Sequence, residues 1–348
     1  MNYLTIRKPG GYERLEIAEM EAPNPSPDEV LVEVKASGVN FADILIRLGV
    51  YPSAKTFVGW PITPGFEFSG VITETGSNVS KFKIGDPVFG VKRFGAHTGA
   101  LCVPEKSVFL KPNRCSFAEA AGFPVVFITA YHALLQNVTL RPGMKILVHS
   151  AAGGVGQALV QLAKLNNCFV IAIVGSTHKV DKVKLLNPNH IIDKSTKDLW
   201  EIIHQLYPEG LDLIFDANGV DSYRKSFQHL RPTGKLIAYG AHSMIPKKGG
   251  RLNWPKLLWD YLRTPRFNPL DLITENKGVV GFNLSYLFDR DDLLNDAINA
   301  LLLSLNAGEI QPLPVTTYPL ADVAKAHRDM ESGQTVGKLV LTHDTQIV

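Results

Sequence analysis

The chain has 348 residues, of which 45% are hydrophobic and 20% are charged. This length exceeds what one hydrophobic core usually serves, so two domains are expected, and the composition excludes a disordered or fibrous protein. The formal net charge of +3 is spread along the sequence and gives no support to a nucleic-acid surface.

The amino terminus lacks the basic and apolar regions of a secretory signal and is predicted to form a first strand. The most hydrophobic run, residues 123–135, is too short to cross a bilayer. Three cysteines, Cys102, Cys115 and Cys168, are too few and too dispersed for a disulfide framework or a paired-thiolate metal site. They predict a reducing, cytoplasmic setting.

The local pattern changes near residue 124. Before it, short β-like runs such as residues 30–36 and 70–76 alternate with Pro and Gly. After it, strand-like and helix-like segments alternate, which predicts parallel βαβ units. The first of these units has a strand at 145–150, a helix at 157–166 and a strand at 168–174.

A glycine-rich loop, residues 151–156 (AAGGVG), follows the first of these strands. Gly153 and Gly156 let backbone N–H groups approach a pyrophosphate at a helix N-terminus. Ala151 replaces the first glycine of the usual pattern, and a purely structural glycine turn is the alternative. The position between a buried-type strand and an amphipathic helix favours a dinucleotide site, with residues Ala152, Gly153, Gly154, Val155 and Gly156 as cofactor ligands.

The residues after the second strand favour NADPH over NADH. An NAD site commonly places an acid about 20 residues beyond the glycines, but no acid occurs here before Asp181. Ser176 can donate a hydrogen bond to a 2′-phosphate and Lys179 can supply charge. The alternative for Lys179 is a solvated helix lysine.

Later segments continue the alternation and then return to β structure. Helix-like residues 199–206 and 222–230 precede strand-like residues 213–215 and 235–239. A stretch rich in Trp, Arg, Lys and Pro, residues 242–269, precedes a strand-like run at 278–283. Helices are predicted at 293–306 and 321–331 and a last strand at 337–341. The final strands are expected to rejoin the first domain.

Several motifs together resemble the zinc-free quinone oxidoreductases of the medium-chain dehydrogenase/reductase superfamily. They are residues 38–43 (GVNFAD), 47–52 (RLGVYP), 64–70 (PGFEFSG), 85–88 (GDPV), 151–156 (AAGGVG) and 336–340 (VGKLV). Residues 278–287 (GVVGFNLSYL) and the Trp-rich insertion look most like the vesicle amine transport protein branch.

The resemblance implies an α/β fold with a GroES-like β-rich catalytic domain and a Rossmann coenzyme domain with a doubly wound parallel sheet. We predict the catalytic domain over residues 1–122, the NADPH-binding domain over 123–270, and a return to the catalytic domain over 271–348. A cleft between the domains and a homodimer are also implied.

Zinc alcohol dehydrogenases of the superfamily carry a Cys where Asn40 stands and a His where Phe66 stands. An amide and a phenyl ring do not replace these ligands well. The dense cysteine cluster of the structural zinc lobe is missing too, so no metal is expected.

The resemblance also implies the site residues. Asn40 and Tyr51 are predicted beside the nicotinamide as donors to the acceptor oxygen, although a turn residue and a rim aromatic are their alternatives. The other cofactor residues that we predict are Thr129, Tyr131, Lys194, Tyr239, Phe282, Asn283 and Lys338. Phe282 has a core alternative, and Lys194 stands near a tyrosine of many quinone reductases, so it can serve the phosphate or point to solvent.

These features predict an NADPH-dependent reductase of quinones. Reduction of a conjugated C=C bond in an enone or enoyl thioester is the related alternative. A membrane- or partner-associated binding protein that retains the fold is an alternative of another class, because the insertion interleaves basic and aromatic residues. The insertion can instead cover the cleft or form a dimer contact. Its basic and aromatic residues are Arg251, Trp254, Lys256, Trp259, Tyr261, Arg263 and Arg266.

Overall fold

The computed structural model describes residues 1–247 and 249–343. Strands from both ends of the chain form one mostly antiparallel, seven-stranded sheet in the order β14-β15-β3-β4-β5-β7, with β6 also paired to β3. These strands are β3 (Glu29–Val39), β4 (Glu67–Thr75), β5 (Pro87–Val91), β6 (Ala100–Pro104), β7 (Val108–Leu110), β14 (Val315–Pro319) and β15 (Lys338–Thr342). Two further strands, β1 (Asn2–Thr5) and β2 (Glu16–Glu19), pair with each other.

The expected return of the last strands is seen in the pairing of β15 with β3, where Leu339 lies opposite Val39. Alternate residues of β3, such as Val30 and Val32, enter one hydrophobic core. This period of two is what a strand in a packed sheet requires.

The coenzyme domain has a six-stranded parallel sheet in the order β10-β9-β8-β11-β12-β13. Its strands are β8 (Lys145–Val148), β9 (Phe169–Val174), β10 (His190–Asp193), β11 (Leu211–Asp216), β12 (Leu230–Ala238) and β13 (Gly278–Gly281). Numbered within the domain, this is the 3-2-1-4-5-6 order of a Rossmann fold, and its strand order reverses between β8 and β11. The predicted doubly wound sheet is confirmed.

Strand β8 is apolar from Ile146 to Val148 because both of its faces are covered there. Ile146 and Val148 pack in one core with Leu159 of the following helix, while Leu147 packs with Ile203 in the core on the opposite side. A strand with helices on both faces therefore shows an unbroken hydrophobic run.

Twelve α-helices complete the part of the chain that the structure describes. They are α1 (Phe41–Leu48), α2 (Pro52–Phe57), α3 (Phe117–Ala121), α4 (Pro124–Tyr131), α5 (Gly154–Leu165), α6 (Val180–Lys184), α7 (Leu199–Leu206), α8 (Tyr223–Gln228), α9 (Trp254–Arg263), α10 (Pro269–Glu275), α11 (Asp291–Asn306) and α12 (Val323–Glu331).

The structure places the second domain boundary later than predicted. Residues 278–281 form β13, which pairs in parallel with β12 as the sixth strand of the coenzyme sheet. The predicted return at residue 271 is therefore too early, because strand β14, at residues 315–319, is the first to rejoin the catalytic sheet.

The Trp-rich insertion forms a short 3-10 turn, helix α9 and the start of α10. The exposed surface of α9 is unusually apolar, since the side chains of Trp254, Trp259 and Tyr261 are at least 60% exposed. Within residues 1–247 and 249–343, no helix is both long enough and apolar enough to cross a membrane.

Candidate active site

The glycine-rich loop lies where the strand order reverses. It follows β8, and α5 begins at Gly154, with Gly153 as an N-cap that contributes no side-chain hydrogen bond. A Cβ on Gly156 would lie 2.3 Å from the carbonyl oxygen of Ser150, so only glycine allows the helix to approach the loop this closely. The free N–H groups of the first turn of α5 therefore stand at the cleft without a side chain in front of them.

A cavity of about 890 Å³ runs between the two domains and includes this loop. Its lining includes Lys179 and Lys194, which follow β9 and β10 at one edge of the coenzyme sheet. It also includes Phe282 and Asn283, which follow β13 at the opposite edge, and Tyr51, which is bonded to Asn283. This arrangement suits a long ligand with a phosphate at one end and an aromatic ring at the other.

The lysine end fits a 2′-phosphate. Ser176 has a buried hydroxyl with no hydrogen-bond partner among the described residues. Lys179 is buried, and its ammonium donates to the carbonyl oxygen of Gly333. Burial, and then the charge of Lys194, lowers the pKa of Lys179. A doubly charged phosphate would relieve this repulsion and satisfy the Ser176 hydroxyl.

Lys194 points along the cleft rather than away from it. Its terminal carbon lies 3.8 Å from the position of a Cβ on Gly175. Desolvation lowers the pKa of Lys194. The carboxylate of Asp216 acts in the opposite direction, and the charge of Lys247 lowers the pKa further. Of the two alternatives for Lys194, its position supports a role at the phosphate.

Asp193, the acid that directly precedes Lys194 in the chain, is already engaged by hydrogen bonds. Asp193 accepts hydrogen bonds from the hydroxyl of Thr177 at 2.7 Å and from the backbone N–H of Ser195 at 2.9 Å. The hydroxyl of Ser195, which donates to Asp193 Oδ1 at 2.6 Å, lowers the pKa of Asp193 most, and the bonds from Thr177 and from the Ser195 backbone lower it further. Its charge is therefore partly compensated by the loop itself.

The opposite end of the cleft has an aromatic wall and a hydroxyl network. The Tyr51 hydroxyl lies 2.9 Å from Asn283 Oδ1 and 2.6 Å from Ser285 Oγ. Burial raises the pKa of Tyr51, so the phenol keeps its proton at neutral pH. Phe282 stacks on Tyr239 with ring centroids 6.3 Å apart.

Asn40 belongs to a buried polar group beneath this end of the cleft. Its Nδ2 donates to Glu67 Oε1 at 3.0 Å and to the carbonyl oxygen of Gly38 at 3.2 Å. Its Oδ1 accepts from Lys338 Nζ at 2.5 Å. Both amide hydrogens therefore have protein partners, and a bound acceptor would have to compete with Glu67 or Gly38 for one of them.

Nearly all the predicted residues come together in this cleft. Those that line it are Asn40, Tyr51, Thr129, Ala152, Gly153, Gly154, Val155, Gly156, Lys179, Lys194, Tyr239, Phe282, Asn283 and Lys338. Thr129 uses its hydroxyl to donate to Val125 O at 2.6 Å. Ser176 is adjacent to Gly175, which lines the cleft.

Tyr131 is the predicted residue that the structure does not bring to the cleft. It packs with the coenzyme-domain core. Its phenol also interacts with Asp296 of α11, and burial, then that carboxylate, raises the pKa of Tyr131. Its position gives no support to the cofactor contact predicted for it.

Two residues of the site were not predicted. Glu67 lies within the motif at 64–70, yet only the folded chain brings it to Lys338 and Asn40. His242 lines the cleft just beyond the carboxyl end of β12. Its place after a parallel strand was a usable signal, because ligands of such sheets bind at that edge.

Phe66, at the position where zinc alcohol dehydrogenases carry a histidine, is packed among other rings. Phe66 belongs to an aromatic group, with its ring centroid 5.1 Å from that of Phe94 and 6.1 Å from that of Tyr51. Among the residues that the structure describes, no group of three or more His, Cys, Asp or Glu side chains is placed to hold a metal ion.

Comparisons with known proteins agree with this architecture. The alcohol dehydrogenase GroES-like domain model matches residues 26–133, and the zinc-binding dehydrogenase model matches residues 186–341. The synaptic vesicle membrane protein VAT-1 homolog of Danio rerio is 36% identical over 334 residues, which cover 96% of this chain and 68% of that protein.

Two solved structures share the whole fold. The quinone oxidoreductase of Escherichia coli, complexed with NADPH, matches with a TM-score of 0.84 and 27% identity over 98% of this chain and 100% of that one. The CurK enoyl reductase matches with a TM-score of 0.82 and 27% identity over 98% and 99% of the two chains.

Proposed function

Because this chain belongs to the quinone oxidoreductase family of the medium-chain dehydrogenase/reductase superfamily, in the branch of the VAT-1 homologues, we propose that it reduces quinones or related conjugated carbonyl compounds with NADPH and without a metal. One observation carries the proposal. A single cleft joins two lysines at one edge of the coenzyme sheet, the open N-terminus of α5 at its centre, and an aromatic wall with a protonated phenol at the other edge.

The residues present fit NADPH. The first turn of α5 would hold the pyrophosphate, while Ser176, Lys179 and Lys194 would hold the 2′-phosphate. The stacked pair of Tyr239 and Phe282 would bound the nicotinamide. When bound, NADPH supplies a hydride.

The protein's remaining task is to orient the acceptor and stabilise charge on its oxygen. Tyr51 is the donor that its position favours, since its hydroxyl is fixed by Asn283 and Ser285 and burial keeps it protonated. A preorganised donor of this kind stabilises an oxyanion at little reorganisation cost. Solvent can supply the proton that completes reduction of a quinone.

Independence from metal is also a proposal. One matching family model is described as a zinc-binding dehydrogenase, but Asn40 and Phe66 offer an amide and a phenyl ring, which are poor zinc ligands. Purified protein should keep its activity after dialysis against a chelator. Loss of activity that zinc restores would contradict this part.

The cofactor is tested by fluorescence titration with NADPH and NADH. Lys179→Met should weaken NADPH binding about 10- to 100-fold, the range expected for losing a charged hydrogen bond, and leave NADH binding nearly unchanged. Lys184→Met, at an exposed position of helix α6, which begins directly after Lys179, is the matched control. Tighter binding of NADH, or equal weakening of both cofactors, would remove the argument for NADPH.

The acceptor is tested by following NADPH oxidation with 1,4-naphthoquinone and with 2-cyclohexen-1-one. We expect the quinone to be reduced with the larger kcat/KM. Reduction of the enone alone would favour a conjugated C=C reductase, the alternative that the likeness to the CurK enoyl reductase supports.

A binding protein that retains the fold is the second candidate. It is favoured by the exposed rings of Trp254 and Trp259, of which Trp259 lies beside the guanidinium of Arg263, and by the names of the vesicle-membrane relatives. Flotation with anionic vesicles tests it, using the chain with and without residues 245–268 and the variant Trp254→Ser with Trp259→Ser. Equal flotation of all forms would exclude this surface as the membrane contact.

We also propose a homodimer in the cytoplasm. Within the described chain β13 is an outer strand of the coenzyme sheet, and such an edge readily pairs with a second copy. The three cysteines are free, which suits a reducing compartment. Light scattering should give twice the chain mass of 38.2 kDa, and a monomer at micromolar concentration would contradict the dimer.

A further inference from the structure

A segment of the coenzyme domain crosses to the catalytic domain beside the cleft. We call residues 241–253, apart from residue 248, the strap. At its start the backbone N–H groups of His242 and Ser243 donate to Ala217 O at 3.1 Å and Asn218 O at 2.7 Å. Both contacts hold it against the loop that follows β11.

The far part of the strap is bound to the catalytic domain. Ile245 packs in one hydrophobic cluster with Ile44 and Leu48 of α1. The buried Arg47 donates from Nη1 to Gly250 O at 2.7 Å. The strap is therefore held at both ends, and its cleft-facing side chains have a defined position.

His242 is the strap side chain best placed to meet a ligand. It lines the same cleft as Tyr51, and its ring rests on Phe41 with centroids 4.0 Å apart and planes inclined by 42°. No hydrogen bond of its imidazole to another described residue is found, although its backbone is fully engaged. A half-buried imidazole without a partner is free to bind a ligand atom.

The imidazole is neutral at physiological pH. Desolvation in the cleft lowers the pKa of His242 to about 4, against the opposing effect of Asp216. A neutral imidazole has one N–H donor and one acceptor nitrogen. It can therefore donate a hydrogen bond to an oxygen without transferring its proton.

This property matters for an acceptor with two carbonyl groups. A hydride brings one negative charge to the conjugated system of a quinone, and a hydrogen-bond donor at either carbonyl oxygen makes that system a better acceptor of the charge. Both residues line the cleft, Tyr51 from the start of α2 in the catalytic domain and His242 from the strap that follows β12 of the coenzyme domain. An enone has a single carbonyl and needs one donor only.

We infer that His242 is a specificity-determining residue that donates a hydrogen bond to the second carbonyl oxygen of a two-carbonyl acceptor. The inference rests on the proposed reductase function. NADPH provides the hydride, solvent provides one proton to form the hydroquinone, and His242 keeps its own proton throughout.

Two substitutions of His242 separate the effect of its N–H donor from the effect of its aromatic ring. His242→Phe keeps an aromatic ring on Phe41 and removes the donor, while His242→Gln restores an N–H donor. Arg251→Met, on the exposed side of the strap, is the matched control. Each variant is assayed for NADPH binding and for reduction of 1,4-naphthoquinone and 2-cyclohexen-1-one.

We expect His242→Phe to lower kcat/KM for the naphthoquinone about 10-fold, the loss typical of one hydrogen bond to developing charge. The enone should change less than about 2-fold, NADPH binding should not change, and His242→Gln should recover most of the quinone activity. Equal losses for both acceptors, or no loss for the quinone, would overturn the inference.

Failure of the proposed function gives a different result. If the wild-type chain binds NADPH but reduces neither acceptor, or the enone alone, the quinone reductase proposal fails. Calorimetric binding of 1,4-naphthoquinone to the NADP⁺ complex then decides the role of His242. Weaker binding to His242→Phe than to wild type supports the contact, and equal or absent binding contradicts it.

Discussion

Lys338 Nζ lies 2.7 Å from Glu67 Oε1, and the two side chains are 3% and 0% exposed. Glu67 also accepts from the backbone N–H of Val125 at 2.7 Å, which ties the start of α4 to the catalytic sheet. Removing two charges from water is costly unless each is paired and hydrogen-bonded, and here both conditions are met.

Removing one charge of this pair should destabilise the protein strongly. Glu67→Gln or Lys338→Met leaves the other charge buried, so each should lower the free energy of unfolding by about 3–5 kcal/mol in urea. The double variant should lose less than the sum of the two. Arg7→Met, which breaks an exposed pair with Glu16, should cost less than about 1 kcal/mol. If Glu67→Gln and Lys338→Met lowered the free energy of unfolding as little as this control does, the buried pair would contribute little to stability.

Gly156→Ala should damage the phosphate loop even without cofactor. Its Cβ would lie 2.3 Å from Ser150 O and 2.7 Å from Ala151 Cα, and overpacking of this kind costs about 1–3 kcal/mol. Gly153→Ala is the matched control, because its nearest contact would be an ordinary 3.4 Å. Thermal unfolding of the apoprotein checks both, and equal midpoints would contradict the steric argument.

Tyr51→Phe should reduce the rate of acceptor reduction about 10-fold or more and leave NADPH binding unchanged, because the lost hydroxyl acts on the acceptor oxygen. Initial rates at saturating NADPH, together with a fluorescence titration, separate the two effects. A variant with wild-type kcat would exclude Tyr51 as the donor.

The pH profile of the wild-type rate should show no loss from ionisation of Tyr51 up to about pH 10, the ordinary value for a phenol. Burial raises the pKa of Tyr51, so the neutral donor form persists to higher pH and would be lost only as the pH rises through the raised value. A decline below pH 10 in wild type that is absent from Tyr51→Phe would contradict this sign.

Arg47→Met should release the strap from the catalytic domain. Arg47 is fully buried, pairs with Glu331 and lies 4.5 Å over the ring of Tyr12. Its loss leaves the Glu331 carboxylate uncompensated, which should cost about 3–5 kcal/mol. Limited proteolysis should then cut residues 245–253 faster than in Arg251→Met, whose side chain is 74% exposed. Identical cleavage rates would show that Arg47 does not hold the strap.

The amino-acid sequence by itself determined the coenzyme unit. The apolar run at 145–150, the small residues of the loop and the helical period after it are local signals, set by sterics and burial within a few residues of each other. The structure places β8, the loop and α5 there, although α5 begins at Gly154 because the glycines are themselves its first turn. The absence of an acid after β9 was equally local.

Only the tertiary structure decided which side chains share the cleft and which do not. Lys338 and Asn40 are 298 residues apart in the chain, and their contact exists because the last strand pairs with β3. Tyr131 turns to α11, and β13 joins the coenzyme sheet, because packing selects one face or one edge among several that local patterns allow. His242 reaches the cleft for the same reason, since the strap is positioned by Arg47 and Ile44 of the other domain.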